Sequence, residues 1–366
     1  MVQPSETNMA RVYNFGAGPA VLPLEVLEQA QAELVDFRGS GMSILEHSHR
    51  GKEYSAVHEE VVANYRKLFN LPESHAVLFL QGGASGQFAM LPLNLLGEGQ
   101  IADYTHSGAW ASKAIKEAKI IGQVNIVADT SKAVPARVPR PDELKLTPGA
   151  AYVHITTNET IGGTQWKSFP KTEAPLVADM SSDILSRPFD VSQFGLIYAG
   201  AQKNLGPSGI ALVLIRKDLA TRVSPKVPVF FRYSTHLEEN SLYNTPPCFG
   251  IYLMMLYSRW TLKVGLENLY RQNREKAGKL YAEIDRTGYY RGTADVSCRS
   301  DMNVTFRLPS EELEEKFIKE SSAQGMKGLK GHRVVGGIRA SIYNAFPPAG
   351  VDALVAFMKE FERKNG

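Results

Sequence analysis

Short, uninterrupted apolar runs alternate with longer segments of helical period along much of this chain, and no other feature narrows the fold as far. "AVLFL" (76–80) precedes "SGQFAMLPLNLL", and "PLVADM" (175–180) precedes "GLIYAGAQK" (195–203). A strand with one wet face alternates apolar and polar residues. A run that is apolar throughout is buried on both faces, as in a parallel sheet covered by helices. The chain is therefore expected to be an α/β protein whose ligands gather outside the carboxyl ends of its strands.

At 366 residues the chain exceeds what one hydrophobic core usually serves, which predicts two packed domains. From about Thr261 the texture changes. Charged helical patterns ("LENLYRQNREKAGKLYAEID", "PSEELEEKFIKESSAQG") flank short strand-like pieces such as "MNVTFRL" and "GIRASIYNA", as in a smaller α+β domain. With no low-complexity linker in view, the boundary is expected to be a helix running between the two.

Charge excludes some functions. The 41 Lys and Arg residues against 38 Asp and Glu leave a net +3, with no basic tract of the kind that binds nucleic acid or an anionic membrane. The two cysteines, Cys248 and Cys298, are too few for a disulfide framework and fit a reducing compartment. No apolar run approaches the length of a membrane span, and the opening "MVQPSETNMARVYNFGAGP" lacks the core of a signal peptide and the Arg-rich character of a transit peptide. The expected address is cytoplasmic, or an organelle if a presequence has been removed.

Three places carry candidate chemistry. In "QGGASGQF" (81–88) glycines lead from an apolar run into a helical pattern, where free N–H groups could face a phosphate. A plain strand-to-helix turn has the same composition, and neither the dinucleotide fingerprint nor the Walker pattern is present. Asp179 ends one apolar run and Lys203 ends the next, which would carry an acid and an amine into one crevice. A structural ion pair is the plain alternative. Trp110, in "YTHSGAWASKAIKEAK", stands at a loop-to-helix transition and is either core or a stacking face. Lysine, carboxylate, phosphate cradle and aromatic face together are the set that a pyridoxal phosphate enzyme uses.

The segments "MSILEHSHRGKEY", "HITTNETIGG", "VADMSSDILSRPFDVSQFGLIYAGAQKNLGPSG", "SLYNTPPCFGIY" and "LKGHRVVGGIRASIYNA" closely resemble the class V family of fold-type I pyridoxal phosphate aminotransferases. Within it they resemble the branch acting on O-phospho-L-serine, in order, from about Val12 to the C-terminus. The resemblance implies a large domain (24–265) with a mostly parallel central sheet, a smaller α+β C-terminal domain (266–366), and an N-terminal segment (1–23) packing with the latter. It implies a homodimer with active sites at the interface, and pyridoxal 5'-phosphate as cofactor. By motif, Lys203 is the Schiff-base lysine, Asp179 pairs with the pyridine nitrogen, Trp110 stacks on the ring, and Thr160 serves the side of the phenolic oxygen. The cofactor phosphate takes Ala84, Ser85 and Gln202, with Asn244 and Thr245 from the partner subunit. Arg339 is matched to the substrate α-carboxylate, and His49, Arg50, His332 and Arg333 to the substrate phosphate. The implied reaction is transamination between O-phospho-L-serine with 2-oxoglutarate and 3-phosphooxypyruvate with L-glutamate, in serine biosynthesis. One departure stands out: many bacterial members have an arginine in the glycine-rich loop where this chain has Ser85.

Two rival readings follow from the same residues. A cysteine desulfurase would need an activated thiol, for which neither cysteine has a suitable context. A non-catalytic anion-binding protein would simply pair Asp179 with Lys203.

Overall fold

The computed structural model describes residues 11–333 and 335–366. In chain order the elements begin with β1 (Tyr13–Asn14), α1 (Leu24–Ala32), α2 (Lys52–Leu68), β2 (His75–Gln81), α3 (Gly83–Leu95), β3 (Ile101–His106), α4 (Ala109–Ile121) and β4 (Gln123–Asp129). Next come β5 (Val153–Thr156), β6 (Asn158–Glu159), β7 (Thr164–Gln165), β8 (Leu176–Asp179), β9 (Leu196–Gly200), β10 (Ile210–Arg216), α5 (Lys217–Ala220), α6 (Tyr233–Glu238) and α7 (Cys248–Val264). The chain finishes with α8 (Leu266–Ile284), β11 (Arg291–Gly292), β12 (Asn303–Arg307), α9 (Glu311–Ala323), β13 (Met326–Lys327), β14 (Ile338–Ser341) and α10 (Pro348–Asn365).

The apolar runs form one seven-stranded sheet in the order β2-β10-β9-β8-β5-β3-β4. Only β10 runs against its neighbours; the pairings among the other strands are parallel. The α/β architecture with a mostly parallel sheet is thus as read from the sequence. Along β2 the side chains alternate between two cores, Val77 and Phe79 on one face and Ala76, Leu78 and Leu80 on the other, as the two-residue period of a strand requires. On the first face α2 lays down Tyr54, Val57, Val61 and Tyr65, an apolar stripe at helical spacing, with α7 beside it. On the second, α3 and α4 pack Phe88, Leu91, Ala114 and Ala118. Each large side chain so buried contributes about 1.5–3 kcal/mol by leaving water.

A third core gathers Leu280 of α8, Phe306 of β12, Phe317 of α9, Ile338 of β14 and Leu354 of α10 around Phe15. Between α7 and α8 the helix stops at Gly265, whose φ of 83° lies in the left-handed region that glycine enters without strain. Phe15 reaches the third core because β1 pairs in parallel with β13, Tyr13 opposite Met326. Phe15 N then donates to Lys327 O at 2.7 Å, and Tyr343 Oη to Ala17 O at 2.8 Å. Among the described residues no helix is long and apolar enough to cross a membrane.

Candidate active site

Because β2, β5, β8 and β9 run the same way, their carboxyl ends open on one side, and a cavity of about 370 Å³ lies there. Its floor is the strand ends and its far wall is Arg339 of β14. Ala17, Gly18 and Pro19, leaving β1, form part of the rim.

Lys203 sits in the turn after β9, 8% exposed, and its Nζ donates to Thr160 Oγ1 at 2.7 Å. Burial lowers its amine from 10.5 to about 8; the charge of Asp179 opposes that shift and the guanidinium of Arg339 adds to it. Asp179 is the last residue of β8, and its Oδ1 accepts from Ser181 N at 2.9 Å and Ser181 Oγ at 2.6 Å. Ser181 Oγ in turn accepts from Gly200 N at 3.0 Å, so the carboxylate is oriented from the neighbouring strand. Burial pushes the Asp179 carboxyl up, while the Ser181 bonds and Lys203 pull it down. The hydrogen bond of Lys203 to Thr160, and those of Asp179 to Ser181, differ from what a plain Asp179–Lys203 ion pair would make.

Trp110, second residue of α4, presents its ring 5.6 Å from Lys203 Nζ. Opposite, α3 starts at Gly83 with no side-chain cap. Gly82 and Gly83 have φ of 90° and 60°, and a Cβ on Gly83 would meet open space, so the left-handed backbone rather than crowding calls for glycine there. Gly83, Ala84 and Ser85 of the first turn of α3, with Ser208, line the cavity, and the uncapped N–H groups of a helix start suit an anion.

Four buried polar atoms around this one cavity have no hydrogen-bond partner: Trp110 Nε1, Thr156 Oγ1, Gln202 Oε1 and Arg339 Nε. Leaving such an atom unsatisfied costs roughly 1–3 kcal/mol, and native folds seldom do so without reason. A polar ligand would remove the cost. The arrangement fits pyridoxal 5'-phosphate: an anion site at the α3 start, an aromatic face, a carboxylate where a protonated ring nitrogen would lie, and a buried amine for an aldehyde.

Of the residues singled out from the sequence, Ala84, Ser85, Trp110, Thr160, Asp179, Gln202, Lys203, His332 and Arg339 line this cavity. His49, Arg50, Asn244, Thr245 and Arg333 do not line it within one chain. Arg50, Thr245 and Arg333 are exposed, and Asn244 Nδ2 donates to Thr245 O at 3.1 Å on the wall of a different cavity. Burial together with Arg339, Arg333 and Lys113 lowers the His332 imidazole. Sequence reasoning passed over Ser181, although a serine two residues after an aspartate is a recognisable local hydrogen-bonding pattern. It also passed over Glu159, whose partners lie far off in sequence. Burial raises both thiols, Cys248 and Cys298, and neither lines the cavity, which leaves the desulfurase reading without a nucleophile.

Residues 12–354 match the family of class-V aminotransferases. The chain is similar to the phosphoserine aminotransferase of Niallia circulans, 55% identical over 97% of this chain and 99% of that one. Among solved structures it is similar to phosphoserine aminotransferase from Bacillus circulans subsp. alkalophilus, with a TM-score of 0.96, 55% identity, and coverage of 97% and 99%. A pyridoxal phosphate-bound phosphoserine aminotransferase from Trichomonas vaginalis aligns with a TM-score of 0.92 at 42% identity, covering 95% of this chain and 100% of that one.

Proposed function

The chain belongs to the class-V aminotransferase family, and from that premise we propose that it transfers the amino group of O-phospho-L-serine to 2-oxoglutarate, giving 3-phosphooxypyruvate and L-glutamate, and the reverse, in serine biosynthesis. The observation that carries the reading is the convergence of Lys203, Asp179, Trp110 and the α3 start on one cavity. Pyridoxal 5'-phosphate, when bound, supplies an aldehyde that condenses with amines and a ring that takes up the electron pair left at the substrate Cα.

The chain's residues do the rest. Lys203 would hold the aldehyde of the bound cofactor, and its ε-amine, lowered to about 8 by burial, is the group that would take the proton from the substrate Cα. Asp179 keeps a proton on the ring nitrogen. Trp110 holds the ring plane, and Thr160 steers Lys203 Nζ from the side of the phenolic oxygen. Ala84, Ser85 and Gln202 bind the cofactor phosphate. Arg339 takes the substrate α-carboxylate in a planar, two-bond fork.

Asn244 and Thr245 stand off the cavity wall of their own chain, which supports a homodimer in which they complete the partner's phosphate site. His49, Arg50, His332 and Arg333 are assigned by motif to the substrate phosphate. Those donors accept either a phosphate or the side-chain carboxylate of glutamate, so one pocket serves both half-reactions. With Ser85 in place of the loop arginine, fewer cations share the phosphate. We retain the division into an N-terminal segment (1–23), a large domain (24–265) and a small domain (266–366), and a cytoplasmic address in which both thiols stay reduced. The test is a half-reaction: addition of O-phosphoserine to cofactor-loaded protein should bleach the visible band and release 3-phosphooxypyruvate. Bleaching by glutamate but not by phosphoserine would leave a transaminase of other specificity.

A further inference from the structure

Glu159 is buried, 1% exposed, and the cofactor and substrate roles above do not use it. Its carboxylate lies across the start of α4: Oε1 accepts from Ala111 N at 3.0 Å and Oε2 from Trp110 N at 3.2 Å. Two of the four N–H groups that a helix start leaves unpaired are therefore served from another element. The position where a cap side chain normally sits is Gly108, which has none. A Cβ there would come within 2.7 Å of Glu159 Cδ and within 2.9 and 3.0 Å of its two oxygens. The φ of Gly108, 166°, is open to any residue. Glycine is needed here for room, and the room is filled by Glu159.

A serine or aspartate at position 108 could cap α4 locally. The distant carboxylate does something a local cap cannot, because it ties the helix to β6. Residues 158–160 each hold one part of the site. Asn158 Nδ2 donates to Ser182 Oγ at 2.9 Å, beside the Asp179 turn; Glu159 holds the Trp110 backbone; Thr160 accepts from Lys203 Nζ at 2.7 Å. The segment is itself pinned, by pairing of Glu159 with Thr164 in β7 and by Asn158 Nδ2 to Asn303 Oδ1 at 2.8 Å.

We propose that Glu159 is a positioning residue that fixes the Trp110 ring in register with Lys203 through the first turn of α4. This rests on the cofactor reading above. Burial pushes the Glu159 carboxyl up to about 7; the two N–H bonds oppose that shift, the charge of Asp179 adds to it and that of Lys203 opposes it.

The experiment uses cofactor-loaded protein and three variants: Glu159→Gln, Glu159→Ala, and Glu159→Ala combined with Gly108→Ser. The last restores a local helix cap without the link to β6. Readouts are Tm, the circular dichroism of the cofactor's visible band, and kcat and KM separately. Expected are a loss of visible dichroism and a roughly 10- to 100-fold fall in kcat with KM little changed in both Ala variants, while the double variant regains the Tm. Recovery of dichroism and kcat together with Tm in the double variant would reduce Glu159 to a helix cap and overturn the proposal. Should the Ala variants not fold, the near-isosteric Glu159→Gln decides: loss of dichroism at unchanged Tm supports it, and wild-type dichroism and kcat overturn it. Wild-type protein without any visible band would instead overturn the cofactor reading itself.

Discussion

The ε-amine of Lys203 donates to the hydroxyl of Thr160 at 2.7 Å, while the Asp179 carboxylate takes its hydrogen bonds from Ser181. Lys203→Ala is expected to fold and to bind pyridoxal phosphate without forming the visible band. Borohydride treatment of the wild type should fix cofactor on Lys203, seen by peptide mapping; label on another lysine would reassign the nucleophile.

The amine's lowered value has a sign that can be tested. Neutral amine attacks an aldehyde, so cofactor uptake by cofactor-free protein should accelerate as pH rises and level off above about 8, below the 10.5 of an ordinary lysine. Between those values the unfolded chain binds the proton and the folded one does not, so stability rises with pH across that window. A wild-type Tm that gains on Lys203→Met between pH 8 and 10 would show it; parallel Tm curves would count against a lowered amine.

Specificity should separate by residue. On the reading proposed above, Arg50→Ala and Arg333→Ala would each remove a charge-assisted partner of the substrate phosphate, worth about 2–5 kcal/mol in a closed site. That is roughly thirty- to several-thousand-fold in kcat/KM for phosphoserine. Serine, lacking the phosphate, should lose little. Arg339→Ala should weaken both donors. Equal losses for phosphoserine and serine in the first two variants would remove those arginines from the phosphate site.

The proposed two-chain site predicts complementation. Lys203→Ala and Asn244→Ala should each be impaired, and mixing them under subunit exchange should yield hybrids with one intact site. Activity no greater than the sum of the parents would refute the contribution in trans.

Substrate binding should also depend on a pair that touches no substrate. Arg307 Nη1 donates to Val335 O at 2.9 Å, and Glu314 accepts from Arg307 Nε and, at 3.1 Å, from Gly337 N. These bonds hold the far end of the loop that carries His332 and Arg333. Glu314→Gln should raise KM for phosphoserine by about 5- to 30-fold, equivalent to about 1–2 kcal/mol, at nearly unchanged kcat. A fall in kcat with KM intact would mean that the loop serves chemistry and not binding.

What the sequence revealed follows from how local each signal is. Asp179 and Lys203 were legible because each ends an apolar run, and a charge at the mouth of a buried strand is conspicuous. The run "IALVLIR" gives no direction, since both faces of β10 are covered. Yet only nine residues separate Gly200 from Ile210, fewer than the dozen or more that a parallel crossover needs, so the reversed strand could have been deduced. Glu159 was illegible: its partners are 48 and 49 residues away, and nothing near it marks a buried acid. β1 and β13, at two residues each, carry no pattern at all.

The pairing of Tyr13 with Met326 also sets an order of assembly. Ala17, Gly18 and Pro19 are made long before the strand and the Tyr343 hydroxyl that hold them. During synthesis the large sheet can close over its own cores, whereas the cavity rim waits for a contact spanning nearly the whole chain, the slowest kind to form. A nascent chain halted before residue 326 would have the nucleophile and its acid in place without a finished mouth to the site. On the reading proposed above, competence to bind substrate through Arg339 should therefore arrive only as β13 and β14 leave the ribosome.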